Sequence, residues 1–143
     1  LRSGKVGIPA GIFSNSPLSD RVEARYREDV SKELLIKSLN SAQDFFNGVH
    51  FSQEDSGMSL QGWIDYLEKT RDTHHLDSLI NNQFALIHAQ VVNLNDDLGV
   101  QVTTDNIGML ETYDLMQEIV IFMKVDMLQL FDIKVDYVDA DGD

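Results

Sequence analysis

The closing residues Asp136-Tyr137-Val138-Asp139-Ala140-Asp141-Gly142-Asp143 carry the sharpest chemical spacing in the chain. Carboxylates at alternate positions followed by a glycine are how a calcium loop presents oxygen donors to a hard divalent cation. Asp139, Asp141 and Gly142 fall at the third, fifth and sixth positions of such a loop. Tyr137 stands where the first ligand is required, and no bidentate glutamate follows. That rules out an EF-hand and leaves two readings, a looser oxygen-ligand site or a solvated acidic terminus.

The four histidines are His50, His74, His75 and His88, and no pair of them has the His-x-x-x-His spacing that sets two imidazoles on one helical face. Gly48-Val49-His50 approaches a Gly-x-His-x-x-Glu arrangement, but Gln53 occupies the glutamate position and Glu54 comes one residue late. His74 and His75 fall at a helix N-terminus, where the dipole disfavours the imidazolium, and they read as solvent-facing cap residues. His88 follows Phe84 by one turn and reads as a partly buried, hydrogen-bonded side chain. No nucleophile-elbow glycine pattern surrounds any serine, and Gly4, Gly7 and Gly11 neither follow a strand nor open a helix as a phosphate loop requires. Met109, Met116, Met123 and Met127 offer soft thioethers, yet all lie on one helical seam, where methionine fills core gaps.

That seam is the element on which the rest is organised. Met109, Tyr113, Met116, Val120, Met123, Met127 and Leu130 recur at spacings of 4, 3, 4, 3, 4 and 3, which predicts one long helix from about Thr104 to Phe131. Leu115, Ile119 and Phe122 widen its apolar face enough for several partner helices. A first helix is expected from near Asp29 or Ser31 to Asn47, with its seam through Leu35, Leu39, Ala42 and Phe46 and a stop at Gly48. A second runs from Ser59 to about Lys69 around Leu60, Ile64 and Leu67, with Trp63 beside them. A third runs from Thr73 or His75 to Leu98, where Gly99 is placed to end it. The segment before Asp29 is too punctuated by Gly4, Gly7, Pro9, Gly11 and Pro17 to read as a helix, and its Val6, Ile8, Ile12 and Phe13 imply that it lies against a surface. The expectation is an all-α, up-and-down four-helix bundle: residues 1–28 an extended arm from a preceding domain, 29–131 the bundle, and 132–143 an acidic tail of period two.

Composition narrows the partners. The chain has 143 residues, 43% of them hydrophobic, enough for one packed domain. A formal net charge of −13 argues against nucleic acid and against adsorption to anionic lipid. With no cysteine there are no disulfides, thiolate metal sites or cysteine nucleophiles, which suits cytoplasm and periplasm alike. No apolar run approaches the length of a membrane span and no signal peptide is visible. The sequence opens on Leu1 without a methionine, which points to a piece of something longer.

Three segments carry a resemblance to a known family. Lys5-Val6-Gly7-Ile8-Pro9-Ala10-Gly11, with Ser14, Pro17-Leu18 and Val22-Glu23-Ala24-Arg25-Tyr26, forms the first; Gly62-Trp63-Ile64-Asp65-Tyr66-Leu67 the second; the Asp-Gly-Asp ending the third. Together they resemble the C-terminal half of an imelysin-family protein. The resemblance implies a duplicated helical protein of the bacterial cell envelope, periplasmic or lipid-anchored, linked to iron or haem uptake and classed by some as a metallopeptidase. It implies an N-terminal bundle of the same protein as partner, and a divalent metal ion or iron as the group handled. The family's Gly-x-His-x-x-Glu motif belongs to the other half, so its metal ligands transfer to no position here and no catalytic set is visible. By the same analogy the inter-domain cleft would be lined by the arm and the tail. Lys5, Glu23 and Tyr26 are then the expected cleft residues, and Asp139 and Asp141 the expected oxygen donors. A rival expectation is a non-catalytic interaction domain that docks a basic partner through its acidic surface.

Overall fold

Leu35, Leu39 and Phe46 bury one face of the first long helix, α2 (Ser31–Asn47). Gly48 ends it in the left-handed region, at φ 71°. There the Val49 N–H reaches back to the Asp44 carbonyl at 2.8 Å and the Gly48 N–H to that of Phe45 at 3.3 Å, the paired bonds of a Schellman cap. Helix α3 (Leu60–Arg71) starts where the Ser59 hydroxyl accepts the Gly62 N–H at 2.9 Å, and it buries Ile64 and Glu68. The computed structural model describes residues 1–27, 30–52, 55–71 and 75–134.

Helix α4 (Leu76–Val92) lies at the centre, packed against α2, α3 and α6 (Asn106–Ile121), and buries Leu76, Ile80, Phe84, Ile87 and Val91 along one stripe. Its N-terminus is capped from another helix: the buried Glu68 carboxylate accepts the Leu76 N–H at 2.6 Å, placing negative charge at the positive end of the dipole. At its other end Lys32 donates to the carbonyls of Val92 (3.3 Å) and Leu94 (2.8 Å) and pairs with Asp96 at 2.6 Å. A cation thus meets the terminal carbonyls that no helical N–H reaches. With α2, α3, α4 and α6 as its principal helices, the fold is the expected all-α, up-and-down four-helix bundle. No described helix is long and apolar enough to cross a membrane.

Three local differences have physical causes. The third helix stops at Val92 instead of Leu98, and Gly99 lies inside a separate helix, α5 (Leu98–Thr104). The Asp97 carboxylate accepts the N–H groups of Gly99 (2.7 Å) and Val100 (3.3 Å), so Gly99 sits in the first turn of a capped helix and does not terminate one. Second, the long helix is not uniformly α. After α6 the chain widens through a π-type turn, Phe122–Asp126, and resumes as α7 (Met127–Leu130), with Met123 and Met127 still against the core. Third, the arm is helical from Arg2 to Ala10. Arg2–Gly7 winds in π-type turns into α1 (Ile8–Ala10), burying Val6, Pro9 and Ala10 against α6. Only beyond Gly11 does it run irregularly, through a 3-10 turn at Ser19–Arg21. Burial of Val6 and Ala10, one turn apart, outweighs the poor helix propensity of Gly4 and Gly7.

Gly7 is where the arm and α6 come closest. A Cβ there would lie 2.8 Å from Cε2 of Tyr113 and 3.1 Å from Cε2 of Phe13. The Tyr113 ring is fixed by the edge of Phe13, with centroids 6.4 Å apart, and by the Arg2 guanidinium 5.3 Å above its face. Asn106 ties the same junction by donating to the Ala10 carbonyl at 3.0 Å.

Candidate functional site

Lys5 and Glu23, expected in an inter-domain cleft, form a close ion pair with each other. The pair joins the two motif-bearing segments of the arm, eighteen residues apart in sequence. Tyr26, three residues beyond Glu23, is 91% exposed, with the Arg25 guanidinium 5.7 Å from its ring centroid. Asp139 and Asp141 lie outside the described residues, as do Gln53, Glu54 and His74.

The remaining histidines are dispersed. His50 is exposed, its Nδ1 2.9 Å from the Ser52 hydroxyl and its ring against Phe51. His75 is exposed at the N-terminus of α4, and His88 is half-buried on the same helix. Among the described residues no three histidine or carboxylate side chains gather as a metal would require. Met109 and Met116 are buried in the core.

The structure brings together residues that no local spacing announces. Between the arm, α2, α4 and α6 lies a cavity of about 430 Å³. Its floor is core: Leu39 and Phe46 from α2, Phe84 and Ile87 from α4, Met116 and Ile119 from α6. Ala42 leaves room in its wall, and Leu1, Phe45 and Lys124 stand at the more exposed rim beside the half-buried Arg2. Arg2 is held there by Gln117, to which it donates a close hydrogen bond, and by the Tyr113 face. The volume lies within the range of small-molecule pockets, about 300–1,000 Å³. Both charged lining residues, Arg2 and Lys124, are cations in a chain with 24 acidic and 11 basic side chains.

A second apolar feature lies on α3 and the loop before it. Met58, Trp63 and Tyr66 line one shallow hollow and are 97%, 56% and 63% exposed, and the two aromatic rings meet edge to face at 6.2 Å. Sequence periodicity placed Trp63 beside the helix seam; the helix turns it outward.

No protein-family model, no curated protein and no solved structure matches this chain.

Proposed function

We propose that this chain is the C-terminal bundle of an imelysin-like cell-envelope protein, a binding module that handles iron or haem together with a companion N-terminal bundle. The observation that supports it is the convergence of the arm's two motif segments. Lys5 and Glu23 pair across them, and the exposed Tyr26 stands at the end of the second. An aromatic side chain presented on a braced segment is suited to burial against a partner, and exposed tyrosines dominate many interfaces. The metallopeptidase form of this reading places the catalytic metal in the companion half, with this chain as its support.

The test compares this chain alone with a protein that carries both bundles. Iron and haem titrations are expected to give binding only when the companion is present. Tyr26→Ser is expected to weaken association of separately expressed halves by about tenfold or more while leaving the helical signal of this chain intact. Binding of iron or haem by this chain alone, at the same affinity, would overturn the shared-site reading.

A second reading, an interaction domain with a face of its own, is favoured by Met58, Trp63 and Tyr66. Exposed aromatics gathered in one hollow mark a docking surface. Trp63 is the sole tryptophan, so its emission shifts to the blue on docking there and stays unchanged when docking uses the arm.

A further inference from the structure

The cavity under the arm accounts for neither docking surface, and its chemistry points to a ligand of its own. Its floor is built from side chains that are fully or nearly fully buried, so it opens directly onto the core. A helical bundle normally closes such space to crystal-like density. Here the gap persists beside Ala42, where a longer aliphatic side chain would have narrowed it. Water gains little on this floor, because a buried water needs two or more polar partners. An apolar chain replaces that contact with burial.

The rim sets the head group. Acidic side chains outnumber basic ones about twofold across the protein, yet among the described residues that line this cavity the charged side chains are those of Arg2 and Lys124. The Arg2 guanidinium is positioned by Gln117 and by the face of Tyr113, so a planar donor group is oriented before any ligand arrives. Guanidinium donors match a carboxylate in geometry as well as charge. An apolar trough whose charged lining side chains are cations favours an amphipathic anion over its cationic counterpart.

We propose that the cavity between the arm, α2, α4 and α6 binds a monomeric long-chain carboxylate, its hydrocarbon tail over Leu39, Phe84 and Met116 and its head group at Arg2 and Lys124. The occupant is a single free acid and not a bilayer. A cavity of this size takes one chain, and the net charge of −13 opposes an anionic lipid surface. The site is independent of the companion-bundle reading and stands or falls without it.

The test titrates the chain calorimetrically with dodecanoate below its micellar concentration, beside decanoate, dodecyltrimethylammonium and vesicles of phosphatidylglycerol. Saturable one-to-one binding of dodecanoate is expected, with decanoate weaker by about fifteenfold, since each buried methylene accounts for roughly a fourfold change. Dodecyltrimethylammonium carries an equally long tail and is favoured by the protein's net charge, yet it is expected to bind about tenfold more weakly than dodecanoate. Ala42→Phe narrows the cavity and is expected to weaken binding about tenfold or more. Because that variant carries a folding risk, the paired change Arg2→Gln with Lys124→Gln, made at the rim, serves as the second arm. It is expected to remove the preference for the carboxylate over the ammonium while retaining the far-UV signal. Equal or tighter binding of the ammonium, absence of a chain-length dependence, or unchanged selectivity in the rim variant would each overturn the proposal. So would vesicle binding that dodecanoate does not displace, which would assign the surface to a membrane, or a dimer that closes the groove with a second copy.

Discussion

Replacing Gly7 by alanine separates two forces of opposite sign. On propensity alone the change stabilises, since alanine exceeds glycine in a helix interior by about 1 kcal/mol, and Gly7 has ordinary helical angles, φ −64° and ψ −46°. Against this stands the approach of the arm to α6. The new Cβ would lie 2.8 Å and 3.1 Å from two ring carbons of Tyr113 and 3.1 Å from Phe13. A carbon–carbon contact settles near 3.5–4.0 Å, so ring and arm must part by most of an ångström. The ring cannot simply turn away, because Phe13 bounds its edge and Arg2 its face. Overpacking of this kind costs about 1–3 kcal/mol, and subtracting the propensity gain leaves a net loss of up to about 2 kcal/mol. For a chain of this size that corresponds to a fall in Tm of up to about 7 °C. Urea denaturation followed by far-UV circular dichroism reads the difference. Repeating Gly7→Ala in a Tyr113→Ala background supplies the control: with the ring gone the same change is expected to stabilise, giving a coupling energy of about 1–3 kcal/mol. A stability gain in the native background would refute the close packing of arm on bundle.

Three further outcomes follow from the buried polar contacts and one surface pair. Ser31 is buried, donates to the Asp96 carbonyl at 3.2 Å and accepts the Leu98 N–H at 2.9 Å, so Ser31→Ala strands a buried donor and is expected to lower urea stability by about 1–3 kcal/mol. Loss of less than about 0.5 kcal/mol would mean the bridge does not hold α2 to α5. Glu68→Ala removes the cap of α4 and is expected to cost about 1–2 kcal/mol, whereas Glu68→Gln keeps an acceptor and loses less; equal losses would show that packing, and not capping, sets the residue's contribution. The hydrogen bond to Asp65 and then its charge raise the Lys69 pKa above the ordinary 10.5. A raised amine stabilises the fold below that ordinary value, and the contribution is lost as pH rises through the folded value. Asp65→Asn is expected to return Lys69 towards 10.5 in a direct titration by NMR, and no change would assign the shift to another group.

What the sequence disclosed and what it concealed divide along one physical line. Helix α2 is legible because its signals are local: Leu35 and Leu39 one turn apart, and a glycine free to take φ 71° at the stop. The end of α4 is not legible, because Gly99 looks like a stop until the carboxylate of Asp97, two residues earlier, is seen to cap a new helix. Glu68 as a cap was invisible, since it lies eight residues before the N–H it serves and on a different helix. The arm's helix was hidden for a similar reason, because its stability resides in contacts with Tyr113 about a hundred residues away. The seam of α6 announced its methionines but not the π-type turn at Phe122–Asp126, which leaves the apolar pattern unbroken. Of the expected site residues, the Lys5–Glu23 pair became visible only in three dimensions. The cavity left no mark on the sequence, because its floor residues are indistinguishable from core until the structure shows the space between them.

The arm and the cavity are parts of one device. Leu1, Arg2 and Ser3 form one wall of the cavity, while Val6, Gly7 and Ala10 hold the same segment on α6. A ligand that needs the wall binds only the docked arm, and by linkage it must stabilise docking by RT ln(1 + [L]/Kd), about 2.7 kcal/mol at a hundredfold excess over Kd. Amide exchange can see this directly. With dodecanoate bound, the N–H groups of Lys5 and Gly11, which bond to the carbonyls of Leu1 and Ile8, are expected to exchange more slowly. Those of α5, which does not line the cavity, are expected to keep their rates. Slowing that spreads equally over both would mean that the ligand stabilises the whole fold and not the arm. Slowing confined to the arm would make the Gly7 contact with Tyr113 a determinant of ligand affinity, because every kcal/mol of strain placed there is subtracted from the docking that the ligand requires.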